Sequence, residues 1–305
     1  MRIVRGSFSR IVVATLLVGA ASMTQAQPIA VPPPDTTLGP GWNLKSRFNL
    51  GLSQSSVTSN WAGDEVGSVS WLMSIDSSSE NQLHEKFRWL NTLVLRFGQT
   101  HQQDRATSTW LAPLKSEDQI DFDSFGRFTL GKFVDPYVAL TFDTQFYDER
   151  EPFGTKPFNP LQVGEFAGVA RAIFDTKQRS LITRTGFGFR QRVNRFHGVD
   201  PSILKKVTND GGFEWKTIGR FTDAEERNEW KTDLNVFQAV YFSESDLDPA
   251  GRWKQTDVRW QNTLSTKVYK VVTIGLYLDF IYDAQVRRAG QLKQTLGIGL
   301  SYDLL

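Results

Sequence analysis

Along the last stretch of the chain, Leu292, Leu296, Ile298, Leu300, Tyr302 and Leu304 alternate with Lys293, Thr295, Gly297, Gly299, Ser301 and Asp303. A two-residue period puts apolar side chains on one face of a β-strand and polar ones on the other. The same alternation recurs upstream. Leu44, Phe48, Leu50 and Leu52 interleave with Lys45, Arg47, Asn49 and Gly51, and Val69, Trp71, Met73 and Ile75 with Ser68, Ser70, Leu72 and Ser74. Further apolar faces run from Phe87 to Phe97, Ile120 to Leu130, Val138 to Phe146, Phe166 to Phe174, Leu181 to Phe189, Trp230 to Phe242, Val258 to Val268 and Ile274 to Tyr282. In the segment from Phe166 to Phe174 the polar face is read as Glu165 and Arg171.

A sheet with one greasy and one wet face on every strand fits a closed barrel in a membrane, lipid outside and polar lumen inside. The predicted fold is therefore all-β, a transmembrane up-and-down antiparallel β-barrel of about twelve strands. The segment from Phe213 to Phe221 alternates weakly. It is counted as a strand because a bacterial outer-membrane barrel keeps both ends on the periplasmic side, which requires an even number. Connections alternate as such a barrel requires: Gly131 to Asp135, Asp175 to Gln178 and Tyr269-Lys270 are short. Ser55 to Glu65, Thr100 to Ser116, Asp148 to Pro160, Asn194 to Gly212 and Glu244 to Gly251 are longer. Asp200-Pro201 followed by Asn209-Asp210-Gly211-Gly212 predicts a short helix in one external loop.

Residues 1–26 read as a cleaved signal peptide. Arg2, Arg5 and Arg10 precede a short apolar run, and Thr24-Gln25-Ala26 offers small residues to a signal peptidase. Residues 27–41 form a Pro-rich periplasmic leader, and 42–305 the barrel. The apolar run is about half what a membrane-spanning helix needs. Losing three arginines takes the formal net charge from +2 to −1, so nothing argues for nucleic acid. With no cysteine and with His84, His101 and His197 far apart, the chain has no disulfide framework, thiol nucleophile or zinc spacing, and no cofactor or metal is expected. A mean hydropathy below zero in a membrane protein is what alternating strands produce.

The string from Asn49 to Ser56, NLGLSQSS, leading to Asn60-Trp61, is the most distinctive in the chain. With Asp257-Val258-Arg259-Trp260, Lys267-Val268-Tyr269-Lys270 and Tyr282-Asp283, it resembles a family of uncharacterised bacterial outer-membrane β-barrel proteins known only as a domain of unknown function. The resemblance runs over nearly the whole mature chain. It implies an outer-membrane barrel without supplying a reaction, a substrate or functional residues.

Candidate chemistry lies on the inward faces. Arg47, Arg88, Arg96, Arg171, Arg184, Arg190 and Arg259 lead a basic set that outnumbers the acids, among them Asp121, Asp123, Asp143 and Asp233. Such charges either line a narrow, weakly anion-favouring pore or pair into a ladder that closes the lumen. Gly186 and Gly188 leave room beside the arginine column or let the strand bend. In the external loops, Gln54, Ser55, Ser56, Asn60 and Trp61 either bind a polar ligand or serve turn backbone. A lipid-hydrolase reading rests on His197 with Ser202 in one loop, a spacing that nothing orients for catalysis. The expectation is a non-enzymatic barrel, exported to the bacterial outer membrane by the assembly machinery and surrounded by its lipid. It would be a pore or binding channel for a small polar or anionic solute, or else a closed barrel presenting loops.

Overall fold

The computed structural model describes residues 41–56, 66–130, 133–149, 154–176, 178–196, 205–248, 250–285 and 287–304. The expected signal peptide, nearly all of the expected leader, Asn60, Trp61, His197, Asp200-Pro201 and Ser202 lie outside these residues. The strands are β1 (Trp42–Ser55), β2 (Ser68–His84), β3 (Phe87–Gln102), β4 (Leu114–Phe128), β5 (Asp135–Thr144), β6 (Tyr147–Glu149) and β7 (Thr155–Pro157). They continue with β8 (Leu161–Asp175), β9 (Arg179–Arg195), β10 (Lys205–Thr222), β11 (Asn228–Phe242), β12 (Asp257–Tyr269), β13 (Val272–Asp283) and β14 (Arg287–Asp303).

All but β6 and β7 close into one antiparallel barrel of twelve strands, each beside its neighbour in sequence, with β5 next to β8. The small β6–β7 hairpin sits within the connection between those two. The ring closes where β1 meets β14, over Arg47–Gly51 against Gly299–Asp303, whereas β1 meets β2 along its whole length. No helix among the described residues is long and apolar enough to cross a membrane. The spanning elements are strands.

Register follows the alternation. Leu276 faces Leu296 and Ile274 faces Ile298 on the outside, while Tyr277 faces Thr295 and Gly275 faces Gly297 on the inside. Outward Leu296, Ile298, Phe187, Phe213 and Trp260 are exposed, an inverted arrangement that suits a lipid solvent. Polar hydrogens on that face are satisfied locally, as a medium without water demands. The indole N–H groups of Trp215, Trp230 and Trp260 donate to Thr183 Oγ1 (2.9 Å), Asn262 Oδ1 (3.2 Å) and Thr232 Oγ1 (3.1 Å).

The strand inferred from parity is present as β10, and it begins earlier than its alternation indicated. Asn209–Gly212, read as a helix stop, is strand, with a bulge between Gly211 and Gly212 that accounts for the broken period. The short turns at 85–86, 129–134, 176–178, 223–227 and 270–271 gather at the end where β1 starts and β14 finishes. In an outer-membrane barrel this is the periplasmic end.

The facing of β8 corrects the sequence reading. Ala139 pairs with Phe166 and Thr141 with Gly164, so Gln162, Gly164, Phe166, Gly168 and Ala170 point inward. Glu165 and Arg171 are on the outside and exposed. Arg171 is not a lumen residue; its guanidinium lies 3.9 Å from the centre of the Phe133 ring near the periplasmic rim, an ordinary place for a snorkelling arginine. The physical reason is space. A Cβ on Gly188 would lie 2.0 Å from Cδ1 of Phe166, so Gly188 makes room for that ring and not for an arginine. Gly168 and Gly186 serve close backbone approach, since a Cβ on either would come within 2.2 Å of a carbonyl oxygen of the adjoining strand.

Candidate functional site in the lumen

The periplasmic half of the lumen is filled. Glu229 on β11 is a hub, taking Lys231 Nζ at 3.2 Å, Arg220 Nε at 2.5 Å and Arg47 Nη1 at 3.4 Å, while Arg47 Nε holds Asp303 at 2.6 Å. Arg88 pairs with Glu80, and Asn49 Nδ2 donates to Asp76 at 3.3 Å. Lys231 is only 2% exposed. Above this tier, Arg184 forks onto Asp123 (2.9 and 3.3 Å) and reaches Glu214 (3.2 Å), and Lys216 joins Asp123 at 3.0 Å. Beside the ion pairs stands an apolar block of Leu90, Phe125, Tyr137, Ala139, Phe166, Ala170 and Phe237, with Arg184 over the Phe125 and Tyr137 rings at 5.4 and 5.5 Å. Buried ions in this number persist only because each is paired.

Above the floor a cavity of about 660 Å³ remains. Its lining runs from Thr144, Pro160, Tyr282 and Asp283 at the long-loop end down to Leu90, Ile218 and Lys231, so it forms a vestibule on the long-loop side of the floor. Arg190 closes one side, clamped by Asp210 (2.8 Å twice) and Asp257 (2.8 Å) with its guanidinium 3.6 Å from the centre of the Phe237 ring. On another side Arg259 meets Asp279 at 3.2 Å, which also accepts from Tyr277 Oη at 3.1 Å. Arg96 Nη1 donates to Gln119 Oε1 at 2.5 Å, and Gln119 in turn donates to Asp121.

Of the predicted lumen set, Arg47, Arg88, Arg96, Asp121, Asp123, Asp143, Arg184, Arg190, Asp233 and Arg259 all face the interior, and only Arg171 does not. Pairing divides them: Arg47, Arg88 and Arg184 are built into the filled half, and the remainder line the vestibule or its wall. Gln54, Ser55 and Ser56 are exposed at and just beyond the tip of β1. The sequence reading missed Asp76, Glu80, Asp210, Glu214, Lys216, Arg220 and Glu229. The first two lie on the continuation of β2 through Ser77-Ser78-Ser79, where counting on by twos from Ser74 finds them. Most of the others lie on β10, whose bulge hid its phase. The expected basic excess is absent from the vestibule, which is lined by eight carboxylates and six basic side chains.

A closed antiparallel barrel with an apolar exterior and a charged, half-filled lumen is a transmembrane β-barrel of the outer-membrane kind. Residues 52–149 match a family described as "Protein of unknown function (DUF3078)". That span reaches from the end of β1 to β6, so the late pattern from Asp257 to Asp283 falls beyond it. No curated protein matches the chain. Among solved structures the chain is similar to an outer membrane channel from Pseudomonas putida F1, at 11% identity over 90% of this chain and 99% of that one, with a TM-score of 0.42. It is also similar to the translocator domain of autotransporter NalP from Neisseria meningitidis (8% identity, 87% and 90% covered, TM-score 0.36). A third is the NanC porin (10% identity, 85% and 100% covered, TM-score 0.36).

Proposed function

We propose that the protein is an outer-membrane barrel that takes up or holds a small polar solute in a vestibule open to the outside, above a floor of ion pairs on the periplasmic side. An N-terminal export signal and an assembly machinery that inserts the barrel into outer-membrane lipid belong to this reading. The observation that carries it is the 660 Å³ cavity, of a size common for small-molecule sites, ending on buried Lys231 and its neighbours. The eight carboxylates against six bases argue for a cationic, zwitterionic or neutral solute over an anion, because a lining with surplus charge of one sign concentrates the opposite ion.

The rival is a closed structural barrel that only presents its loops, favoured by the same floor. Planar-bilayer recording separates the two. Wild-type protein is expected to give small or intermittent current steps, and Glu229→Ala, which removes the hub under three cations, larger and steadier ones. Equally large, steady steps from both proteins would reject an occluded floor. No current from either, with both variants folded, would favour the structural barrel.

A further inference from the structure

One rung of the sheet crosses the vestibule wall at the level of the free space. Val94 on β3 pairs with Asp121 on β4, Asp121 with Asp143 on β5, Asp143 with Gln162 on β8, and Gln162 with Arg192 on β9. All of these line the cavity. Two features set the rung apart from the lumen around it. Glu229, Asp123, Glu214, Asp210, Asp257 and Asp279 each have a lysine or arginine nitrogen within 4 Å. Asp143 instead has no hydrogen bond or ion pair among the described residues, and faces a second carboxylate, Asp121, whose donor is the neutral amide of Gln119. Like charges directly opposite on neighbouring strands cost stability. Lys216 and Arg259 offset part of that cost from beyond salt-bridge distance, and the space between the two carboxylates has no direct cationic partner among the described residues.

The second feature is the other end of the rung. Arg192 directs Nε and Nη2 to the Gln162 side-chain oxygen at 3.2 and 2.9 Å and has no carboxylate within 4 Å among the described residues. A guanidinium carries five N–H donors, and two are used here, both on a neutral acceptor. Two strand spacings separate Asp143 from Arg192, roughly 10 Å between their backbones, and the two side chains shorten that gap to the scale of a small molecule. The vestibule thus holds, side by side on one wall, an anionic pair with no cation in direct contact, balanced only at longer range by Lys216 and Arg259, and a planar cation with no carboxylate within 4 Å among the described residues.

We propose that this rung binds a small zwitterion such as an α-amino acid, its ammonium group between Asp121 and Asp143 and its carboxylate on Arg192. The inference rests on the vestibule reading above and deepens it by naming the solute class. The chemistry is specific at both ends. An ammonium offers three donors to two carboxylates, and a guanidinium meets a carboxylate with a planar fork that a lysine does not offer. Gln162 holds Arg192 at the correct end of the rung until the ligand's carboxylate takes its donors.

The test uses the purified full-length barrel in detergent, with binding read by calorimetry and by ligand-dependent thermal stabilisation. The probes are L-alanine, ethylamine, acetate and calcium chloride. The expected result is that alanine binds about tenfold or more tightly than either single-charge analogue, since each end adds a charge-assisted contact. Arg192→Gln is expected to bring alanine down to the level of ethylamine, and Asp143→Asn to the level of acetate. Asp143→Asn removes a repulsion and Arg192→Gln breaks only the bond to Gln162, so both fold; heat-modifiable migration on a gel checks this. Alanine binding no better than ethylamine in the wild type overturns the proposal, as does calcium binding that alanine does not displace. Access is controlled separately. The chain has no cysteine, so Thr141→Cys, on the cavity wall, reports entry of a small membrane-impermeant thiol reagent added from outside. Labelling without alanine binding defeats the zwitterion site alone; absence of labelling defeats the vestibule itself.

Discussion

Arg184 on β9 reaches across the lumen to Asp123 on β4, placing Nη2 2.9 Å from Oδ2 and Nη1 3.3 Å from Oδ1. The same guanidinium holds Glu214, so a single side chain ties together strands that are not neighbours in the sheet.

Arg184→Ala leaves Asp123 with Lys216 and Glu214 with Asn235, both largely buried at the base of the vestibule. The expected loss is about 3–5 kcal/mol, the usual result of removing one partner from a buried pair. It is read as a lower midpoint of urea unfolding in detergent. Arg184→Lys is expected to recover little of it, because the forked geometry requires a guanidinium.

Gly188→Ala is expected to destabilise by about 1–3 kcal/mol, since the added methyl collides with the Phe166 ring. Combining it with Phe166→Leu should restore part of that loss. A double-mutant cycle showing no coupling would contradict the facing of β8.

The register of β8 is also open to labelling. Single cysteines at Glu165, Phe142, Leu276 and Leu296 are expected to react with lipid-soluble probes, and those at Gly164, Thr141 and Thr295 only with small aqueous reagents. Inverted labelling at 164 and 165 alone would return Glu165 to the lumen.

In the external turn after β3, the Asp104 carboxylate accepts the Thr107 N–H (2.8 Å), the Thr107 hydroxyl (2.9 Å) and the Ala106 N–H (2.9 Å). These bonds, the Thr107 backbone bond first, hold its pKa below the usual aspartate value. A lowered pKa stabilises the turn above the unfolded-state value, and the contribution disappears as pH falls through the folded-state value. Amide exchange over residues 104–110 should therefore accelerate relative to the strands on acidification, and Asp104→Ala should abolish that pH dependence while leaving barrel melting unchanged.

Any current through a floor opened by Glu229→Ala together with Lys231→Ala, which removes one charge of each sign, is expected to prefer cations, read as the sign of the reversal potential across a salt gradient. Asp143→Asn in that background should reduce the preference. An anion-selective current would restore the expectation drawn from the arginines alone.

The outward faces were legible because lipid imposes an unbroken rule on them, and β13 and β14 obey it residue by residue. Inside, the rule is weaker. At β8 the sequence offers Glu165 and Arg171 on one face and Gly164, Phe166 and Gly168 on the other, and charge alone favoured turning the first set inward. What decides the facing is that Phe166 fits the gap above Gly188, a fact of neighbouring strands that no single segment records. Asp76 and Glu80 were hidden by a serine run that resembles a loop, and Glu214 and Lys216 by the bulge at Gly211-Gly212. The missed residues, five acids and two bases, narrow the apparent surplus of arginines in the lumen, and the vestibule itself carries eight carboxylates against six basic side chains.

The seam between β1 and β14 gives the molecule a preferred line of tearing. Every other junction in the ring is a long zipper, but this one is fastened over Arg47–Gly51 against Gly299–Asp303, with the Arg47–Asp303 pair as its clasp. Under heat or force the ring should part there first, unrolling sideways into the bilayer while the other eleven junctions stay intact. The last stitch made when the two chain ends meet is then also the first to give way.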